Sequence, residues 1–416
     1  MAKIKNITAR EILDTRGYPT IEARLSLDDG RSAAASVPGG TSVGRHEAKE
    51  LRDGDRRRYS GRGVLQAIGK VHDLIAPALK GRDITDQAGL DQRLAALDGS
   101  ADKHNLGANA MLAVSLAAAR AAALSEDQEL FVYLKQAYGL GEPRLPVPLF
   151  NIFNGGRHAD TNLDFQEFLL IPKKSPAADM VRLGVEVFHE LGAVLKEAGY
   201  DTDTGLEGGY APDLDSSIEA LEMILAAGIR AGYRPEQDFQ LGIDVGSSLL
   251  YDPAAKRYIF PLDQAQFSAA NLIGLYNEWL KKYPLLYLED GLAEDAWEDW
   301  RELTAELGDR LLIVGDDLFA TNTGRLRQGL QEKAANAIII KPNQVGTLTE
   351  AVDCLKLAQK HHYKTIVSHR SGETTDDFIV DLAVASGADY LKAGSLSRGE
   401  RVAKYNRLLA IADLLN

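Results

Sequence analysis

The chain contains a single cysteine, Cys354, so no internal disulfide can form. A lone thiol fits a reducing, cytoplasmic compartment. Positive charge is also scarce, with a formal net charge of −13 at pH 7. That balance argues against nucleic acid or an anionic membrane as the main partner. The one local excess of cations, Arg56-Arg57-Arg58, reads as a solvated loop. No stretch reaches the roughly 18 uninterrupted apolar residues of a membrane span. The Ala-rich segment 108–124 comes nearest, but Asn109, Ser115 and Arg120 interrupt it, and it reads as a buried helix. The N-terminal MAKIKNITAR lacks an apolar core of signal-peptide length, so no leader is expected there.

What is present is an ordinary globular composition of 416 residues, 45 % hydrophobic and 26 % charged. That length holds a large barrel plus a smaller domain. Residues 3–38 alternate as short strands around turns, with Asp28-Asp29-Gly30 as a hairpin signal. Helical patterns follow at 62–79, 85–97, 107–124 and 129–137. The Gly- and Pro-rich segment YGLGEPRLPVP (138–148) reads as a boundary. This predicts an N-terminal α+β capping domain over 1–139 and a barrel domain over 140–416.

Seven short apolar runs in the second half each carry an ionisable residue, six of them at the end. They bring Glu167, Asp244, Glu289, Asp316, Lys341, His369 and Lys392. One such residue is most simply a charge that ends a strand; seven in an alternating array suggest the mouth of a strand–helix barrel. The runs 149–154 and 164–172 are too close for a crossover helix, so they should pair antiparallel. Two helical patterns (175–198 and 213–232) precede the next strand, and six strand–helix units follow. The expected architecture is an irregular (β/α)8 barrel of ββαα(βα)6 type. Its second strand runs backwards, so Gln166 and Glu167 start it at the shared mouth.

Asp244, Glu289 and Asp316 on successive strands would repel unless a cation neutralised them. An all-oxygen donor set points to Mg²⁺ or Mn²⁺. The alternative is three solvated carboxylates. Lys341 ends the apolar run AIIIK, where burial and nearby cations would lower its pKa and suit a base. It could instead pair with one of the carboxylates. Glu207, among the glycines of GLEGGYAP, is expected to hold its proton and act as an acid, or to be an ordinary loop residue. Arg370 and Ser371 beside His369 suit a phosphate. Ser42, in the Gly-rich loop VPGGTSVGRHEA, could offer oxygen to a metal; His158 follows the turn NGGRH and is as readily structural.

The motifs AREILDTRGYPTIE, VPGGTSVGRHEAKELRDGD, FNGGRHAD, QEFLLIP, LEGGYAP, LEDGLAEDAWEDW, VGDDLFATN, IIIKPNQVGTLTE, SHRSGET and RGERVAKYN resemble the enolase family over nearly the whole chain. The resemblance implies a Mg²⁺-dependent carbon–oxygen lyase that interconverts 2-phosphoglycerate and phosphoenolpyruvate in glycolysis through a metal-stabilised enolate. It implies two Mg²⁺ per site. Asp244, Glu289 and Asp316 would hold one, and Ser42 would ligate the second. Lys341 would be the base, Glu207 the acid and Glu167 its partner. Lys392 would bind the substrate carboxylate, and Arg370 and Ser371 its phosphate. His158, Gln166 and His369 would line the pocket. A homo-oligomer, usually a dimer, is also implied. Its seam would join Glu22 to an arginine at the place taken here by Ala410.

The sequence departs from the family pattern at Gly39, Val43, Leu206, Leu249, Leu250, Gly291, Pro342 and Ala393. Hydroxyls missing at Gly39 and Val43 are expected to weaken binding of 2-phosphoglycerate. Two enzyme readings follow: the glycolytic reaction, or a paralogue acting on a related phospho- or phosphonocarboxylate. A binding or scaffold protein would need a lost ligand or base, and none of the proposed groups is lost.

Overall fold

The computed structural model describes residues 2–41 and 44–415. Three strands, β1 (Ile4–Leu13), β2 (Pro19–Leu27) and β3 (Ser32–Ser36), form an antiparallel sheet in sequence order. Alternation along β2 buries Ile21, Ala23, Leu25 and Leu27 on one face. Helices follow: α1 (Leu65–Lys70) and α2 (Ala76–Leu79) around a π-helical turn, then α3 (Gln87–Asp98), α4 (Ala108–Ser125) and α5 (Leu130–Tyr138). The alanines of α4 let it lie against β2 and β3. An all-round apolar helix must be covered on every side, and α4 is buried almost throughout. Among the described residues it is the one helix long and apolar enough to cross a membrane, and here it is a core helix.

The barrel opens with β4 (Val147–Asn154) and β5 (Glu167–Pro172), followed by α6 (Ala177–Ala198), α7 (Ser217–Arg230) and β6 (Phe239–Asp244). A small antiparallel sheet, β7 (Tyr251–Asp252), β8 (Arg257–Phe260) and β9 (Ala265–Phe267), interrupts the alternation before α8 (Ala269–Lys282). Regular units follow: β10 (Leu285–Glu289), α9 (Trp297–Leu307), β11 (Leu312–Gly315) and α10 (Thr323–Glu332). Then come β12 (Ala337–Ile340), α11 (Leu348–Lys360), β13 (Lys364–Ser368), α12 (Phe378–Ala385), β14 (Tyr390–Lys392) and α13 (Gly399–Leu415). Side chains at the turns start the helices. Asn322 accepts from the amides of Gly324 and Arg325, and Thr347 from that of Glu350.

Eight strands close in the order β4-β5-β6-β10-β11-β12-β13-β14. β5 is antiparallel to both neighbours, and the other pairings are parallel. This is the ββαα(βα)6 barrel, with the smaller α+β domain beside it. Strand alternation then decides what faces inward. Leu149, Leu169, Ile171, Tyr287, Val314, Ala337, Ile339 and Ile366 fill the barrel interior as their own cluster. Their neighbours Phe150, Phe168, Leu170, Leu288, Ile338, Ile340 and Val367 pack outward. The same period of two turns Glu167, Asp244, Glu289 and Lys392 inward.

The crossing from β4 to β5 is tight. Gly155 N–H donates to the Gln166 carbonyl at 2.9 Å. A Cβ at Gly155 would lie 2.3 Å from the Phe165 carbonyl oxygen, where backbone cannot yield cheaply. Gly155→Ala should therefore destabilise the protein by about 1–3 kcal/mol, read as a lower urea midpoint. An unchanged midpoint would contradict this packing.

Candidate active site

Pairing register sets the site's floor. Glu167 on β5 stands opposite Asp244 on β6, and Asp244 stands opposite Glu289 on β10. Three carboxylates thus lie side by side at one level of the barrel, all buried. Lys392 reaches them from β14. Its Nζ lies 2.9 Å from Asp244 Oδ2, 2.7 Å from Glu289 Oε2 and 3.1 Å from Glu167 Oε2. Burial opposes the ammonium charge, but the three carboxylates outweigh it and hold the Lys392 pKa well up.

Lys341 follows β12 and pairs with Asp316, which follows β11. Its expected lowered pKa is corrected. Burial pushes it down, but the Asp316 and Glu289 charges together hold it above the ordinary lysine value. Asp316 also accepts from Gln344 Nε2 at 3.0 Å. Asp290 spends its carboxylate on the amides of Asp316 (3.0 Å) and Asp317 (2.9 Å), which fixes that turn. Burial and the Asp316 charge push Asp317 up to about 8.

A second acidic group comprises His158, Glu167 and Glu207, with ligand-type atoms all within 4.8 Å of one another. His158 Nδ1 is 3.3 Å from Glu167 Oε1 and 3.5 Å from Glu207 Oε1. Asn151 donates to Glu207 Oε2 at 2.7 Å. Burial and the neighbouring Glu207 charge push Glu167 up to about 7. Glu207 goes the other way. Burial would raise it, but the charges of His158, Arg401 and Lys392 hold it well below the usual carboxylate range. The expectation that Glu207 itself keeps the proton is corrected: of the two coupled carboxyls, Glu167 is the one pushed toward the protonated form. Gln166 lines the same cavity. It passes over Gly246, where φ is +59° and a Cβ would meet Gln166 Nε2 at 1.8 Å, so only glycine fits.

Arg370 is clamped by Glu47, Nη1 to Oε2 at 2.7 Å and Nη2 to Oε1 at 3.2 Å. Asn343 Oδ1 accepts from it at 3.2 Å. Ser371 Oγ accepts from the Thr41 amide at 2.9 Å and donates to Thr41 Oγ1 at 2.8 Å. Gly39 and Gly372 exchange backbone hydrogen bonds of 2.9 Å in both directions. The small domain is thereby stitched across the barrel mouth. The cavity between Lys341, Glu207, Arg370 and Lys392 has a volume of ≈ 30 Å³. Ser42 and Val43 lie outside the described residues.

Several participants carried no recognised sequence signal. Glu47 is one acid among many in its loop. Tyr287 donates to Glu289 Oε2 from two residues before it, on the same inward face. The sequence also placed Leu206 beside the chemistry. Leu206 instead lines a neighbouring cavity with Arg16, Tyr18, Thr41, Arg52 and Arg62. A Cβ at Gly39 would likewise meet Arg16 Nη2 at 3.0 Å and Arg52 Nη2 at 3.3 Å. A hydroxyl restored at position 39 would start from that arginine pair, so its expected contribution to substrate binding is corrected.

The donors suit a hard divalent cation. Beside the His158–Glu167–Glu207 group, Asp290, Asp316 and Asp317 bring three carboxylate oxygens within 4.8 Å of one another, and Glu289 Oε1 is buried without a hydrogen-bond partner. Such an atom is costly unless a cation takes it.

A capped eight-stranded barrel with acids and lysines at the C-terminal ends of its strands defines a class of barrel proteins whose chemistry sits at that mouth. Family comparison places it further. The model "Enolase, C-terminal TIM barrel domain" matches residues 142–416, and "Enolase, N-terminal domain" matches residues 4–134. The chain belongs to the enolase family. That family comprises, in general, carbon–oxygen lyases that use a divalent metal and bind phosphorylated carboxylates.

Removing one side of the Glu47–Arg370 pair leaves a buried charge. Glu47→Ala should cost about 3 kcal/mol, measured by guanidinium denaturation. Wild-type stability in that variant would show that the pair is not holding the small domain to the barrel.

Proposed function

We propose that this protein dehydrates 2-phosphoglycerate to phosphoenolpyruvate, reversibly, with a divalent cation. The observation that carries the reading is that one lysine, Lys341, and the buried acid pair Glu167–Glu207 line a single cavity. In this reading Lys341 takes the proton from the carbon beside the substrate carboxylate. The electron pair moves into the carboxylate as an enolate. The Glu207–Glu167 pair gives a proton to the hydroxyl on the next carbon, which leaves as water. Coupled carboxyls share their proton as a unit, so the acid is the pair rather than either member. Arg370 and Ser371 bind the phosphate, Lys392 the carboxylate, and His158, Gln166 and His369 line the pocket. Asp244, Glu289 and Asp316 would hold Mg²⁺, whose charge would offset that building up on the carboxylate. With Asp316 among the metal ligands, Lys341 would no longer have that carboxylate to itself.

The paralogue reading rested on the altered positions. Leu206 and the Cβ direction of Gly39 belong to the Arg16–Arg52 cavity. Leu249 and Leu250 line a separate outer cavity with Thr161 and Pro261. These placements support the unaltered substrate. A cytoplasmic setting is part of the reading, supported by the single buried Cys354. So is a homo-oligomer, supported by Leu13 and Tyr18 exposed at the β1–β2 hairpin. Its seam would differ from the family's, because Glu22 is already paired with Arg10 at 2.8 Å.

A test uses 2-phosphoglycerate and Mg²⁺, reading phosphoenolpyruvate absorbance and exchange of the substrate α-proton with deuterated water. Wild type should do both. Lys341→Ala should lose exchange and dehydration by at least about 100-fold. Glu207→Gln should lose dehydration yet keep exchange, since proton removal comes first. Exchange at the wild-type rate in Lys341→Ala would assign the base elsewhere.

A further inference from the structure

Arg401 is a fully buried arginine in the first turn of α13. Its guanidinium reaches both loops that carry the chemistry. Nη1 donates to His369 Nδ1 at 2.6 Å and to the Arg370 carbonyl at 2.8 Å. Nη2 donates to the carbonyls of Ser371 at 2.7 Å and Leu206 at 3.1 Å. Room for it is made by Gly394, with φ +86°, where a Cβ would lie 2.6 Å from Arg401 Cδ. Its nearest carboxylate is that of Glu400, at 3.3 Å from Nε.

A guanidinium has donors only and keeps its protons at any ordinary pH. His369 Nδ1 must therefore accept, which leaves the ring proton of neutral His369 on Nε2. That nitrogen is 3.8 Å from Glu207 Oε2. The charged groups around the ring are Glu207, Arg401, Lys392 and Lys404. Burial together with the three cations outweighs Glu207 and keeps the imidazole uncharged at neutral pH.

We infer that Arg401 is a positioning residue that locks His369 in its Nε2–H tautomer, aimed at Glu207, and ties the Glu207 loop to the Arg370–Ser371 loop. The part played in turnover rests on the function proposed above; the tautomer does not. Without the clamp, the His369 ring could present Nε2 as an acceptor, which would offer no proton to the carboxylate or to a substrate oxygen beside it. The carbonyl bonds add a second effect. They fix the backbone on both sides of the cavity, so the acid and the phosphate-binding arginine keep one relative position.

The test is a long-range ¹H–¹⁵N correlation spectrum of the imidazoles in the full-length protein at pH 7. His369 is assigned by the signals that vanish in His369→Asn. Wild type should show His369 with a protonated Nε2 and an unprotonated Nδ1. Arg401→Lys keeps the charge but loses the fork. Its His369 nitrogens should move toward the average of two exchanging tautomers. Its kcat on 2-phosphoglycerate should fall by at least about tenfold, with a smaller change in KM. A wild-type His369 protonated on Nδ1, or on both nitrogens, overturns the inference. So do unchanged His369 nitrogens in Arg401→Lys. Should that variant not fold, the wild-type spectrum alone decides. An Nε2–H tautomer in a protein inert toward 2-phosphoglycerate would sink the proposed function and leave the clamp standing.

Discussion

The Nζ of Lys392 lies within 3.1 Å of three carboxylates from three adjacent strands, and the group is shut away from solvent. Taking one ion out of water costs several kcal/mol even after the surroundings relax. Three neighbouring acids buried so closely need an ammonium, a metal or retained protons among them. The demand is met only because β5 runs backwards. A parallel second strand would put Glu167 at the far end of the barrel, away from Asp244 and Glu289. The irregular opening of the barrel and the charge cluster are therefore one design. Tyr287, Asn151 and Arg401 act around that cluster, each fixing one of its members or its neighbours.

The same balance separates the two lysines and the two glutamates. Lys392 sits among three acids and is held firmly protonated. Lys341 has one close partner, Asp316, so its protonation depends on what Asp316 is doing. Glu167 and Glu207 differ in the same way. Glu207 faces His158, His369 and Arg401, whereas Glu167 feels Glu207 itself. Four groups of two chemical types thus acquire four different proton affinities from position alone. An ordinary core would avoid this expense, and a site that moves protons is built from it.

Much of this was legible in the sequence, for identifiable reasons. A strand buried on both faces is a short apolar run, so a polar residue at its end stands out, as Asp244, Glu289, Lys341 and Lys392 did. The short gap between residues 154 and 164 excluded a crossover and gave away the reversed strand. The inserted sheet β7–β9 was not legible, because its strands of two to four residues carry too little periodicity. Glu47 and Arg401 were missed because each acts on partners 30 or more positions away in sequence, with nothing local to mark it. Leu206 was misplaced because adjacent residues in a glycine loop can face different cavities, so adjacency to Glu207 did not mean contact with the chemistry. The proton affinities of Lys341 and Glu207 went the opposite way to the sequence expectation. For Lys341 the outcome is the alternative left open by the sequence, a pairing with one of the carboxylates; for Glu207 the charges brought in by distant segments had no local signal.

The carboxylates paired with Lys392 and Lys341 are proposed to form a divalent-cation site. Titration calorimetry of Mg²⁺ into chelator-stripped protein tests it directly, comparing wild type with Glu289→Gln. Wild type should bind Mg²⁺ saturably, and the variant should bind at least about tenfold more weakly, because Glu289 Oε1 is a buried carboxylate oxygen without a hydrogen-bond partner. Equal affinity in the two proteins, or no binding to wild type, would contradict the claim.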